Sequence, residues 1–419
     1  MANYQPDTGL NLLETLTTGM YPDSLVIFRE YIQNACDAID DAVKFRILNA
    51  DNGKIDIRIK PNKRIITIQD NGTGIPASKF KLILGGIAVA NKILGSDNRG
   101  FRGIGKLCGL AYCRELRFVS TVKDEDIEST MIWHAAELRE KFYTDKNYGL
   151  EVLNEIIEFE SKSGVDPNEH FFRVEMIDIV YTDKNLLDAK KVIDYLSFVA
   201  PVEYDSAFGF QKEIHDYAAG LNCHISEYNI SVNGEQLCKP YKTTFSTSVG
   251  SDDIFDLEFR DFRDSAGNLI AWSWVGLSMF KGVIAANENM RGLRLRVGNL
   301  QLGGWNALVA LFKEQRGTKF FIGEVHAVDT NLKPDAQRDY FAANTARKMF
   351  EKLLGECFKE LHAIYHAAAD VRTEQNKINA PAKAEAEFSR QSTPYKKNSS
   401  SRIRRRNFDV EESRRQSLG

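Results

Sequence analysis

The chain has 419 residues, of which 43% are hydrophobic and 27% charged, with a formal net charge of -3. That supplies apolar material for two domain cores, and the near-neutral balance gives no global attraction to nucleic acid or acidic membranes. No apolar stretch is long enough to span a bilayer, the first residues lack a basic segment leading into an apolar one, and six scattered cysteines without a CxxC pair predict reduced thiols in a cytoplasmic protein.

Residues 1–20 read as an N-terminal arm. Pro22, Asp23 and Ser24 then open a helix in which Phe28, Ile32, Ala35, Ile39 and Val43 form an apolar stripe at helical spacing. Opposite that stripe, Glu30, Asn34 and Asp37 stand at i, i+4 and i+7 and share one narrow face. The face is either solvated or functional. Next come "IDIRIK" and "IITIQD", two alternating runs joined by "PNKR", which predict an antiparallel hairpin. The second run ends at Asp70, with Gly72 and Gly74 beyond it. One reading is an Asx-type turn. The other is a carboxylate that accepts a hydrogen bond from the exocyclic amino group of adenine, with glycines that let the backbone pass close to the base and sugar.

The segment 85–105, ending in "GFRGIGKL", is glycine-rich and polar. Its spacing approaches that of a phosphate-binding P-loop, but Leu107 stands where that loop needs Ser or Thr for magnesium, and no buried strand leads into it. Gly100, Gly103 and Gly105 instead precede an apolar helix expected from about Lys106, a geometry suited to presenting backbone N–H groups to phosphate. Lys106 either adds a charge there or is solvated. Strands follow near "LRFVST" and "FFRVEMIDIV", then a helix at "KNLLDAKKVIDYLSFVA". After Pro201 the pattern is strands and turns, including an Asn233-Gly234 hairpin, "GLRLRV" and "FFIGEVHAVD". A long helix closes the ordered part, and the polar stretch beyond about Thr373 is expected to be disordered.

Taken together and in order, "REYIQNACDAID", "DNGTGI" and "GFRGIG" resemble the Bergerat ATP-binding fold of the GHKL superfamily, which includes gyrase B, the ninety-kilodalton heat-shock chaperones, histidine kinases and MutL. The resemblance implies an α+β protein, with a Bergerat α/β sandwich over residues 21–222, a β-α-β transducer domain over 223–370 and a basic tail over 371–419. It implies ATP and Mg²⁺ as ligands. Glu30 matches the general base that activates the attacking water, Asn34 the Mg²⁺ ligand, and Asp37 a supporting group on the same helix. Asp70 matches the adenine reader, beside Gly72 and Gly74. Gly100, Phe101, Gly103, Ile104, Gly105 and Lys106 match the phosphate-facing end of the ATP lid. The chain departs from the family at Phe171 and Phe172, where a Gly-Thr pair usually stands and the threonine backs up the aspartate.

A second resemblance lies in "FIGEVHAVDTNLKPDAQRDYF", which is similar to the segment of chaperone middle domains that carries a catalytic arginine. It implies that Arg338 reaches the γ-phosphate, with Lys333 as a weaker substitute. The expected function is Mg-dependent ATP hydrolysis that drives lid closure and clamp movements of a homodimer, with chaperone-like remodelling of client proteins. The alternative is a MORC- or MutL-type DNA clamp in genome maintenance or phage defence. It draws on Arg291, Arg294 and Arg296 alternating along a strand and on a tail containing Arg402 and Arg404–Arg406.

Overall fold

A computed structural model describes residues 23–85, 105–144, 155–180, 184–335, 337–374 and 377. The expected arm (1–20), most of the 85–105 segment and most of the basic tail lie outside the described residues.

Helix α1 (Val26–Lys44) follows Asp23, whose Oδ1 accepts the Leu25 N–H at 3.0 Å. Its apolar stripe is buried, with Phe28, Ile32 and Ile39 all at most 2% exposed. Each such side chain contributes on the order of 1.5–3 kcal/mol on burial. The stripe lies on a mixed sheet of eight strands. Their ranges are β1 (Lys54–Lys60), β2 (Ile65–Asp70), β3 (Cys113–Thr121), β4 (Ile127–Trp133), β5 (Ile157–Ser163), β6 (Phe171–Ile179), β7 (Asn229–Val232) and β8 (Glu235–Gln236). In space the order is β5-β4-β3-β6-β2-β1-β7-β8. The expected β1–β2 hairpin is present, pairing Ile55 with Asp70 through Lys60 with Ile65. Ile66, Ile68 and Asp70 share the buried face of β2, as the period of two requires. Helices α2 (Ala77–Gly85), α3 (Ala135–Thr144), α4 (Ala189–Val199) and α5 (Gln211–Gly220) complete this half of the described chain. The layered sheet and helices match the expected α/β sandwich.

Two features differ from the sequence reading. The helix expected from Lys106 is a 3-10 segment, Gly105–Ala111. The sheet also continues past residue 222, because β7 pairs in parallel with β1 and turns at Asn233 and Gly234, both at positive φ, into β8.

The second half pairs the short strands β9 (Thr244–Thr247) and β10 (Gly250–Asp253), then builds a five-stranded sheet. Its strands are β11 (Asp256–Arg263), β12 (Leu269–Leu277), β13 (Gly292–Val297), β14 (Leu300–Leu302) and β15 (Ile322–Ala327), in the order β11-β12-β15-β13-β14. The long helix 345–374, here α6, packs Phe350, Leu354, Phe358 and Leu361 into its core.

β13 is covered on both faces, and this corrects the reading of its arginines. Arg294 is 5% exposed and Arg296 0%. Arg294 donates to Gln301 Oε1 at 2.8 Å and lies over the Phe198 ring. Arg296 pairs with Glu324 Oε1 from two nitrogens, Nε at 2.8 Å and Nη2 at 2.5 Å. The same carboxylate receives Tyr204, Tyr241 and Lys239, so it is the hub of a buried polar cluster where the two halves meet. Alternation marked a strand, but only the tertiary packing shows that both faces are filled. These two arginines are unavailable to a nucleic-acid backbone.

Candidate functional site

On α1 the polar stripe is not solvated. Glu30 is 2% exposed, and Arg29 and Gln33 beside it are also buried; Asn34 and Asp37 are half-buried on the same face. Gly105 approaches so closely that a Cβ there would lie 2.5 Å from Glu30 Oε2. The 3-10 segment is pinned over the helix by Tyr31, whose hydroxyl donates to the Lys106 carbonyl and accepts from the Gly109 N–H, each at 3.1 Å. Lys106 does not project freely. Its ammonium donates to the Ile83 carbonyl at 2.7 Å, tying the start of this segment back to the end of α2, and burial lowers its pKa to about 8. Gly100, Phe101, Gly103 and Ile104 lie outside the described residues.

Glu30 meets a residue 308 positions downstream. Arg338 Nε stands 3.0 Å from Glu30 Oε1, and the two side chains are 14% and 3% exposed. Arg29 joins the arrangement from two directions. Its Nε lies 3.8 Å from the same oxygen, and its Nη1 and Nη2 donate to the carbonyls of Arg338 (3.3 Å) and Gln337 (3.1 Å). Arg338 has φ +56, a left-handed conformation that costs a non-glycine residue on the order of 1 kcal/mol. The strain is held from outside, since the Arg338 carbonyl also accepts the Gly303 N–H at 3.0 Å. Lys333, the weaker substitute, is exposed. Glu30 Oε1 and Gln33 Oε1 are buried without a well-aligned hydrogen-bond donor among the described residues. Glu30 Oε1 already faces two guanidiniums, so it is Gln33 Oε1 that a cation or a polar ligand would satisfy.

At the end of β2, Asp70 is 4% exposed and its Oδ1 accepts the Gly72 N–H at 2.8 Å. Burial raises its pKa to about 7, opposed by hydrogen bonds from the backbone of Gly72 and Phe172. The two glycines serve packing. A Cβ on Gly72 would lie 2.6 Å from Ala38 of α1, and one on Gly74, at φ +67, would lie 2.1 Å from the Thr121 carbonyl oxygen. The space a side chain would fill at either position is already taken by protein, so closeness to a base and sugar is not needed to explain them.

Phe172 pairs with Asp70 across β2 and β6, on the same face. The place of the family threonine thus holds a ring stacked on Phe118, and main-chain N–H groups are what support Asp70. One strand further, Ser120 pairs with Phe172 and its hydroxyl links the Ile75 N–H to the Phe171 carbonyl, both at 2.8 Å. Sequence reasoning missed Ser120, Tyr31 and Arg29. The last two flank Glu30 directly, whereas Ser120 carries no local signal because its partners are chosen by strand pairing. A shallow depression of about 390 Å³, lined by Gln69, Glu128, Phe171 and Arg173 among others, has neither Asp70 nor Glu30 in its lining.

Residues 26–162 match the family described as histidine kinase-, DNA gyrase B-, and HSP90-like ATPase. The match to this GHKL-type ATPase family is confined to that stretch, less than half of the chain. Within those residues, α1, β2 and the 3-10 segment carry Glu30, Asp70 and Gly105 of the site just described. Among curated proteins, Heat shock protein 90-5, chloroplastic, of Arabidopsis thaliana is 30% identical over 152 residues. The match covers 32% of this chain and 19% of that protein, so the chain spans about a fifth of the relative's length. Arg338 lies well beyond the matched residues, yet it reaches Glu30 within them. Among the described residues, no helix is long and apolar enough to cross a membrane, and all six cysteines are free thiols.

Proposed function

We propose that the chain binds ATP with Mg²⁺ between α1 and the end of β2 and hydrolyses it. The observation that carries this reading is the 3.0 Å contact between Glu30 and Arg338, which brings a carboxylate of the first motif and a guanidinium of the last to one buried place. Glu30 is the group that takes the proton from the attacking water; its burial and its packing under Gly105 fix its orientation. Arg338 supplies positive charge to the transferred phosphoryl group. A guanidinium has five N–H donors in a fixed fork, more than the single contact to Glu30 Oε1 at 3.0 Å uses, which leaves donors for phosphate oxygens. Asn34 would hold the Mg²⁺, an ion that takes few protein oxygens and completes its shell with phosphates and water. The metal supplies charge neutralisation at the phosphates. Asp37 supports this face, and the ionised carboxylate of Asp70 accepts from the adenine amino group.

We further propose that nucleotide-driven movement of the 85–105 segment and pairing of two copies remodel client proteins. The partial likeness to a heat-shock protein supports this direction. A DNA clamp loses the support of Arg294 and Arg296, which are buried, and keeps only the half-buried Arg291 among the described residues, since Arg402 and Arg404–Arg406 of the basic tail lie outside them.

The test is ATP turnover by the wild-type chain and by Glu30→Ala, together with nucleotide affinity and with duplex DNA present or absent. The expected result is turnover that disappears in the variant while nucleotide affinity stays within a few-fold, and that is indifferent to DNA. Loss of binding together with turnover would make Glu30 structural. Stimulation by DNA that fades with salt would restore the clamp reading.

A further inference from the structure

Away from Glu30, α6 places His362 and His366 one turn apart on the same face, and Glu314 meets them from the segment that leads into the 3-10 turn Gln315–Phe320. The three inward atoms are His362 Nε2, His366 Nε2 and Glu314 Oε1. They are separated by 3.2 Å between the imidazoles, 3.4 Å from Glu314 to His362 and 3.7 Å from Glu314 to His366. A tetrahedral ion with bonds of about 2.0–2.1 Å needs ligand atoms roughly 3.3 Å apart, so the three already stand at three corners of such a tetrahedron.

The second oxygen of the carboxylate is committed elsewhere, with Glu314 Oε2 accepting from Arg316 Nε at 2.7 Å and from the Tyr365 hydroxyl at 3.1 Å. These two donors fix the orientation of the carboxylate and leave Oε1 turned to the histidines, the arrangement outer partners impose on a metal-binding carboxylate. Two imidazole nitrogens 3.2 Å apart can share only one proton between them. A divalent ion, by contrast, uses both lone pairs and the carboxylate charge together.

We propose that Glu314, His362 and His366 form a binding site for a divalent transition metal of the zinc class, with the fourth position open to water. Two imidazoles and one carboxylate suit zinc or cobalt and are a poor match for magnesium, which prefers oxygen ligands. The side chain of His366 is 40% exposed, so the site has an entry path. Metal there clamps α6 to the turn at 315–320.

The probe is Co²⁺ added to the tag-free full chain, without nucleotide, read by the visible absorption of tetrahedral cobalt and by competition with Zn²⁺. About one equivalent is expected to bind, to give the tetrahedral spectrum and to raise the melting temperature. Because His366 is partly exposed, His366→Ala leaves the fold intact, which circular dichroism checks, and abolishes the spectrum. Tyr365→Phe keeps all three ligands and weakens binding roughly 10- to 100-fold. Absence of a tetrahedral spectrum in the wild-type chain, or one that persists undiminished in folded His366→Ala, overturns the proposal.

Discussion

Replacing Arg338 by alanine tests the link between the two halves of the molecule and the site at once. The ion pair it removes is 3.0 Å long, and its side chains are 14% and 3% exposed. At an effective dielectric of about 20, two unit charges at that distance attract by roughly 5 kcal/mol, most of it offset by the desolvation both groups suffered on burial. What the substitution exposes is the unoffset part, a buried carboxylate short of a partner, which costs about 3–5 kcal/mol when nothing else is near. Arg29 Nε remains 3.8 Å from the same oxygen, so the loss should fall below that range, at about 2 kcal/mol. Glu30→Ala strands two guanidiniums and should therefore destabilise more than Arg338→Ala. In the double variant the penalties should fail to add, with a coupling of about 1–3 kcal/mol. Urea unfolding of the four proteins measures all of this, and ATP turnover of Arg338→Ala should drop by about 10³ or more if the guanidinium serves the phosphoryl group. Additive stabilities together with unchanged turnover would refute the reasoning.

Asp70 gives a pH test. Its carboxyl titrates at about 7 when folded and at an ordinary 3.8 otherwise, so its contribution to stability is full below about pH 4 and is lost as the pH rises through 7. Asp70→Asn should remove that fall, a relative gain of at most about 4 kcal/mol by pH 8, and a wild-type-to-variant difference that is the same at pH 5 and pH 8 would contradict it. Nucleotide affinity of the wild type should weaken as the pH drops below 7, where the acceptor becomes protonated; titration calorimetry at two pH values reads this directly. Gly74→Ala combines φ +67 with a Cβ 2.1 Å from the Thr121 carbonyl oxygen and should cost about 3 kcal/mol by denaturant unfolding, whereas Gly220→Ala, which meets nothing within 4 Å, should cost nothing measurable. Glu324→Gln should cost about 3–5 kcal/mol in the same assay, because it leaves Arg296 and Lys239 buried without their shared carboxylate.

Read from the sequence alone, the periodic elements were reliable where a single local pattern decides the outcome. The α1 stripe, the β1–β2 hairpin and the turn at Asn233 and Gly234 follow from spacing and from backbone preferences that need no distant partner. The ordered motifs around Glu30 and Asp70 were legible for the same reason, since a helix face and a strand end are local objects. Tertiary structure decided everything that depends on what lies opposite. Alternating arginines on β13 looked available until both faces of the strand proved to be covered, and Arg294 and Arg296 became part of a buried polar core. Gly72 and Gly74 sit where neighbouring backbone fills the space, a fact held by Ala38 and Thr121 rather than by the glycines' own surroundings in the chain. The meeting of Glu30 with Arg338, and of Glu314 with His362 and His366, joins residues far apart along the chain. Periodicity constrains the direction of a side chain from its own element, while the partner it reaches is set by how separate elements close over their shared apolar cores.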